Sequence, residues 1–575
     1  MQHDFGYDVS DYKDIHPMFG VLADLDELVA AAHMRGLRVL LDLVPNHSSD
    51  AHPWFSAAAS SRTSLKRDYY IWVEPPDNAT TSGGAGPPGP PPNNWRSFFG
   101  GSAWSWEANT RSWYLHQYLP SQPDLNWRSP DVQAEFAHIM QFWQHRGIDG
   151  FRIDSLPTLL EDAQLADEPP NLDWHEGMDP HDALLHINHT QDVFPIHRVV
   201  KHLRSTADAG GSVLVCETRV GLHELARFYG PHLHECQLPF NFDLVDWTAA
   251  WSAKQLKDAI TSYLSGLPRV RPLIMNIALL PAGAYSRALS ILLLAGCRAH
   301  LGAWCAARFA VVCSAHMLTS RGAGNHDNPR VATRLGGERQ ARAALLLLLS
   351  LPGTPTVYNG EELGMHNVAL RDDQVRDPAA LRQPRELWPV VGRDPERTPM
   401  QWDATRAAGF LPASAPAAAT PWLPVAPDYA TVNAAAQSSN ATSTLSLFRL
   451  AASLRRAEPA LRGAPLIPLD WTGSNEMPAG VVAFARPLRC ACGNVTRRAA
   501  LASDNDQPEE DSDDYDGAHC ASLLSASTDN AADVQAATAN CRASRHLHRR
   551  RQRLRRCLAS TPRHSSSRST WDRRL

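Results

Sequence analysis

Four times along this chain an amphipathic helix pattern runs into a short strand pattern with few polar residues, and few folds accept such a repeat. The first case is "ADLDELVAAAHMRGLRVLLDLVPNH": a helix, a glycine stop at Gly36, then "LRVLLDLVP", which is apolar on both faces. A strand with two apolar faces after a crossover helix belongs in a buried parallel sheet. The pattern returns in "VQAEFAHIMQFWQHRG" before "IDGFRID", in "PIHRVVKHLRSTADAGG" before "SVLVCET", and in "QARAALLLLLSLPG" before "TPTVYNGEELG". Such alternation predicts an α/β fold of the parallel barrel type, whose chemistry lies at the C-terminal ends of its strands. In "GFRID" the apolar Phe151 and Ile153 alternate with Arg152 and Asp154, so a cation and a carboxylate point together toward that catalytic end.

Composition bounds the partners. The chain has 575 residues, 55 basic against 60 acidic, which gives no overall pull toward nucleic acid or anionic lipid. Its 17 Trp and 12 Tyr can stack on sugars, although core packing accounts for most such rings. Of ten Cys, Cys216 and Cys236 lie in the well-patterned middle, and Cys490 with Cys492 lacks a second pair at zinc spacing, so no metal site is predicted. Sequons at Asn78, Asn188, Asn440 and Asn494 suit a glycoprotein on a secretory route. The polar start "MQHDFGYDVSDYKD" is not a signal peptide.

Hydrolysis of a glycosidic bond with retention needs two carboxyl groups about 5 Å apart, one a nucleophile and the other a proton donor. Strand ends supply Asp154 in "GFRID", Glu217 in "SVLVCET" and Asp327 in "GNHDNPR". Read one at a time, each is as well explained by a helix cap or a solvated loop. Their flanks carry more. "FGYDVSDYKDIHPMFG", "LLDLVPNHSSD", "SQPDLNW", "GFRIDSLPTL", "VLVCETRV", "GNHDNPRVATRL", "GTPTVYNGEELGM" and "GRDPERTPMQWD" occur in order over residues 3–276 and 322–465. Through them the chain resembles glycoside hydrolase family thirteen, the α-amylase superfamily, in its oligosaccharide α-glucosidase branch of insect maltases and sucrases.

That resemblance implies a TIM barrel and an exo-acting, retaining α-glucosidase acting on maltose, sucrose or short malto-oligosaccharides. Asp154 resembles the nucleophile, Glu217 the general acid and base, and Asp327 the carboxylate that grips ring hydroxyls. Arg152 is expected to keep Asp154 ionised with a low pKa, while burial or nearby negative charge should raise that of Glu217. His47 and His326 resemble imidazoles that bind the glucose. Asp4 and Tyr7 resemble the pair closing the pocket, with Arg393 as the ionic partner of Asp4 and Arg397 as its neighbour. Ser155, small where α-1,6 enzymes carry a bulky residue, tilts the expectation toward α-1,4 linkages or sucrose. No cofactor is expected. A structural calcium occurs in the family, in an Asp-rich loop ahead of the first matching motif.

The same comparison predicts departures. The expected barrel lacks its first two strands, with 1–47 its start, 48–127 an inserted subdomain after strand 3, 128–276 its strands 4–6, and 319–444 strands 7–8 with the loops that follow. Residues 277–318 read as an atypical apolar insert resembling a translated intron; charges at Arg287, Arg298, His300 and Arg308 break it too often for a membrane span. Residues 445–497 read as a partial, degraded C-terminal β domain, and 498–575, acidic and then basic, as a disordered tail. A secreted protein acting on small sugars is the expectation. The alternatives are a catalytically inactive or incomplete member, or a non-catalytic ectodomain like that of transporter heavy chains.

Overall fold

The computed structural model describes residues 3–75, 86–185, 189–191, 193–231, 233–266, 320–463, 466–468 and 484–485. By internal contacts the chain divides into residues 1–489 and 490–575, and the second unit lies outside the described residues. So do the 277–318 insert, the 498–575 tail, and the sequons at Asn78, Asn188 and Asn494. Asn440 is exposed, at the surface a glycan needs.

Among the described residues six parallel strands form one sheet: β1 (Leu40–Leu43), then, passing over the insert, β5 (Gly150–Ile153), β6 (Val213–Cys216), β7 (Leu238–Asn241), β8 (Ser320–Gly322) and β9 (Thr354–Thr356), in that spatial order. Asp42 stands opposite Arg152, Arg152 opposite Val215, and Ile153 opposite Cys216. Strand periodicity then sends alternate residues of β5 to opposite faces. Phe151 and Ile153 are fully buried, packed with α3 (Pro130–His145) and α4 (Ile196–Ala209) through Phe136, Ile139, Met140, Val199 and Val200. Each large apolar side chain buried there contributes about 1.5–3 kcal/mol. Arg152 and Asp154 face the other way, into the interior. Gly150 begins β5 because a Cβ at that position would stand 2.5 Å from the Val213 carbonyl oxygen.

The strand read as buried on both faces is not buried at its start. Among the described residues β1 pairs only with β5, and Leu40 is 40% exposed, as are Leu37 (59%) and Met34 (80%) at the end of α1 (Leu22–Met34). A continuous apolar run reports the capacity for burial; pairing on both sides is what realises it.

The described part of 48–127 forms α2 (Pro53–Ser60) and an antiparallel sheet ordered β2 (Trp72–Val73), β4 (Ser112–Leu115), β3 (Trp104–Glu107). Trp95, Trp104 and Trp113 fill its core, and the Arg67 guanidinium lies 3.6 Å from the Trp72 ring centroid. Here the tryptophans are packing residues. An antiparallel bridge from His47 to Asp124 returns the excursion beside the strand end it left.

Helices α5 (Glu338–Ser350) and α6 (Thr444–Ala457) pack through Leu345, Leu349 and Ala451. Arg455 of α6 donates at 2.8 Å to the carbonyls of Leu349 and Leu351, satisfying the end of α5. Beyond them, within the 445–497 region, Phe484–Ala485 pairs antiparallel with Ile467–Pro468. Cys216 and Cys236, not paired by the sequence reading, form a disulfide in the main core across a separation of 20 residues. No helix among the described residues is long and apolar enough to cross a membrane.

Candidate active site

Arg152 organises the interior face of the sheet. Its Nη1 donates to both Asp42 carboxylate oxygens at 2.9 Å and to Asp154 Oδ1, and its Nη2 donates to Glu217 Oε2 at 2.7 Å. The register brings the partners together: Asp42 and Arg152 are cross-strand neighbours, and the Glu217 N–H bonds the Ile153 carbonyl at 2.9 Å one step past β6. A planar guanidinium is suited to this, since it presents fixed donors to several carboxylates and stays charged.

Around this centre the structure gathers all ten predicted residues. Tyr7 donates its hydroxyl to Asp42 Oδ2 at 2.8 Å, meets His326 Nε2 at 3.0 Å, and lies parallel to the His326 ring at 5.8 Å. Arg393 reaches Asp4 Oδ1 at 3.2 Å and Asp327 Oδ1 at 3.3 Å. Arg397 does not pair with Asp4; its Nη2 donates to Asp327 Oδ1 at 2.6 Å and its Nε to the His326 carbonyl at 2.7 Å. Four residues after Arg393 on the "RDPER" turn, it meets the same Asp327 oxygen that Arg393 does. His47 is 1% exposed; with Nδ1 donating to Asn46 Oδ1 (2.9 Å), Nε2 accepts from Gln122 (2.9 Å).

Burial governs the protonation of these groups. It drives His47 down to about 4 and lowers His326, so both imidazoles are neutral at pH 7. Burial also raises Glu217 against the pull of Arg152, with Asp154 and Asp327 adding to the rise. The expectation of a low pKa for Asp154 is corrected: burial pushes its carboxyl up to about 6, outweighing Arg152, with Asp42 and Asp327 assisting. One cation shared among three carboxylates cannot hold each of them as a single partner would. Asp327, although buried, is held well below the usual carboxylate range by His326, Arg393 and Arg397.

Several residues here escaped sequence reasoning. Asp377, fully buried, takes Arg393 Nε at 3.0 Å and Nη2 at 2.8 Å, and so fixes the cation that meets Asp4 and Asp327. Gln122 donates to Asp4 Oδ2 at 3.1 Å. Asp42 and Gln122 sit inside quoted motifs, and the signal for Asp42 was its register with Arg152. Asp377 reads only as a helix cap in "RDPAAL", and nothing in the sequence distinguishes it.

A cavity of about 350 Å³ opens on Asp42, Arg152, Glu217, Phe242, His326 and Tyr358. A larger surface groove of about 490 Å³, lined by His3, Asp50, Tyr114 and Arg382, holds none of the paired carboxylates. Among the described residues no three His, Cys, Asp or Glu side chains are grouped to share a metal ion.

The family described as alpha amylase, catalytic domain, matches residues 1–268 and 305–464. An alpha-glucosidase of Apis mellifera is 32% identical over 463 residues, 79% of this chain and 69% of the relative. Maltase 1 of Drosophila virilis is 34% identical over 471 residues, 79% of this chain and 64% of the relative, so the chain spans about two thirds of these proteins. The crystal structure of the alpha-glucosyl transfer enzyme XgtA superposes with a TM-score of 0.66 at 30% identity, covering 85% of this chain and 79% of its own. Trehalose-6-phosphate hydrolase of Bacillus licheniformis does so at 0.61 and 27%, covering 81% and 76%. A parallel strand-and-helix wall that turns its acids inward is thus the wall of a TIM barrel, and the chain belongs to glycoside hydrolase family thirteen, the α-amylase family.

Proposed function

We propose that this protein is a retaining, exo-acting α-glucosidase that releases terminal glucose from maltose, sucrose or short malto-oligosaccharides. The observation that carries the reading is the fork of Arg152, whose two terminal nitrogens hold Asp154 and Glu217. Two carboxyls on one guanidinium favour the spacing of a retaining pair, about 5–5.5 Å, over the roughly 6.5–9.5 Å that leaves room for an inverting water.

Asp154 attacks the anomeric carbon while Glu217 gives its proton to the departing glycosidic oxygen; the bond to the leaving sugar breaks as the glucosyl ester forms. Glu217, now ionised, takes a proton from a water that attacks the same carbon, and Asp154 leaves as a carboxylate. Burial of Glu217 supports its first role, since a raised pKa keeps the acid loaded. Asp327, held ionised by three cationic or polar neighbours, is suited to accept hydroxyl hydrogen bonds throughout. The Asp4–Arg393 pair supports a pocket closed at one end, and therefore attack on chain ends.

The relatives include salivary alpha-glucosidases of Anopheles gambiae and Aedes aegypti, and a buried disulfide forms in oxidising compartments. Both favour an extracellular setting. The inactive and transporter-like alternatives have no observation in their favour, since all three acids converge.

Purified protein is expected to hydrolyse p-nitrophenyl α-glucoside and maltose, and proton NMR of fresh product should detect α-glucose first. A folded sample without turnover, or β-glucose as the first product, overturns the reading. The rate also has a defined acid limb. The nucleophile works ionised, so kcat/KM should fall as pH drops through about 6, where Asp154 gains its proton. A profile that stays level well below that point rules out Asp154 as the group responsible.

A further inference from the structure

Ser155, the residue after the nucleophile, has φ 45° and ψ 43°. This is the left-handed region, which a serine does not favour and which persists only where the surroundings impose it. Its consequence is a shift in the ladder between β5 and its neighbour. The Glu217 N–H bonds the Ile153 carbonyl at 2.9 Å, so a regular parallel ladder would next pair the Ser155 N–H with the Glu217 carbonyl. Leu156 takes that carbonyl instead, at 3.1 Å, and the Ser155 N–H turns to Glu217 Oε2 at 3.0 Å. The chain has a one-residue bulge at the nucleophile, and its freed donor is spent on the acid/base carboxylate.

Something must hold residue 155 there. Thr158 binds its carbonyl through N–H (3.0 Å) and hydroxyl (2.8 Å), but these bonds belong to the turn itself. The contact from outside is the Tyr118 hydroxyl, 2.6 Å from Ser155 Oγ. Tyr118 is in turn fixed between rings, 4.9 Å from Phe98 at 14° and 5.0 Å from His47.

We propose that Tyr118 is a positioning residue for the acid/base: by hydrogen-bonding Ser155 it holds the left-handed turn that aims the Ser155 N–H at Glu217. The inference rests on the α-glucosidase reading for its kinetic consequence only. A donor on the carboxylate favours the ionised form, so loss of the Ser155 N–H should keep Glu217 protonated to higher pH. The other groups facing Glu217 are Arg152 and Asp154 from β5, Asp42 from β1, His326 and Asp327 from the loop after β8, and Tyr118 itself. Of these, only Tyr118 loses a partner when the hydroxyl at 155 is removed.

The test uses Tyr118→Phe, Ser155→Ala, Ser155→Gly and the double variant Tyr118→Phe/Ser155→Gly in the full chain. Tyr118→Phe and Ser155→Ala should each move the basic limb of kcat/KM up by about one pH unit and lower kcat/KM roughly tenfold, with KM within about twofold. Ser155→Gly should keep the original limb, because glycine adopts positive φ without an anchor, and the double variant should return the limb that Tyr118→Phe displaced. A ¹³C NMR titration of the Glu217 carboxyl carbon, assigned with Glu217→Gln, should give the same ordering without any turnover. A limb and a titration both unmoved in Tyr118→Phe, or a double variant that fails to restore them, overturns the proposal. A parent protein that hydrolyses no glucoside sinks the α-glucosidase reading instead and leaves the titration to decide this one.

Discussion

Asp154→Asn is expected to lower kcat by roughly 10⁴-fold or more while leaving the fold intact, since losing a catalytic nucleophile removes the covalent route altogether. The amide is nearly isosteric and can keep the Arg152 side of the site filled, and the carboxyl it replaces lies only 7% exposed beside that guanidinium. Unchanged circular dichroism and urea midpoint, together with lost hydrolysis of p-nitrophenyl α-glucoside, is the result that fits. Turnover within about tenfold of the parent protein assigns the nucleophile elsewhere.

Arg152→Met should be the most damaging change to stability and activity together. Arg152 compensates Asp42, Asp154 and Glu217 at once, and removing one partner from a buried charge cluster costs about 3–5 kcal/mol. The pH dependence of that loss has a definite sign. Asp154 titrates at about 6 in the folded protein against the ordinary aspartate value of 3.8, so the folded state holds the extra proton between those values. Stability from this group therefore falls as pH rises through that window. Without Arg152 the folded pKa climbs further and the window extends upward. The variant's deficit should be greatest at neutral pH and shrink toward about pH 4, where Asp154 is protonated in the folded parent and the folded variant alike. Urea titrations at the two pH values measure it; a deficit that grows in acid contradicts the compensating role. Activity should fall by roughly 10³-fold or more, with the acid limb displaced above 6 in what remains.

Much of the site could be read in advance because its acids end strands within distinctive flanks. Asp154, Glu217 and Asp327 sit in "GFRID", "VLVCET" and "GNHDNPR", and helix–strand alternation already assigned such ends to one face. Asp42 lay in a quoted motif too, yet its role depended on standing opposite Arg152, a fact of register. Asp377, which steadies Arg393 against Asp4 across 373 positions of sequence, left no local trace. The pairing of Cys216 with Cys236 among ten cysteines was equally undecidable from spacing.

Protonation was the least legible property. The sequence placed an arginine two residues before Asp154 and suggested a strongly ionised carboxylate. The folded site buries that carboxylate and divides the same arginine among three acids, and the balance reverses.

From the sequence alone came the kind of wall this chain builds, four of the six strands described in it and the acids at strand ends, because periodicity and strand-end position are local properties. Tertiary structure alone decided how charge is shared among those acids, which backbone N–H meets Glu217, and how far each group holds its proton. Those depend on distances and desolvation among side chains from strands far apart in sequence, quantities that exist only once the strands have assembled into the sheet.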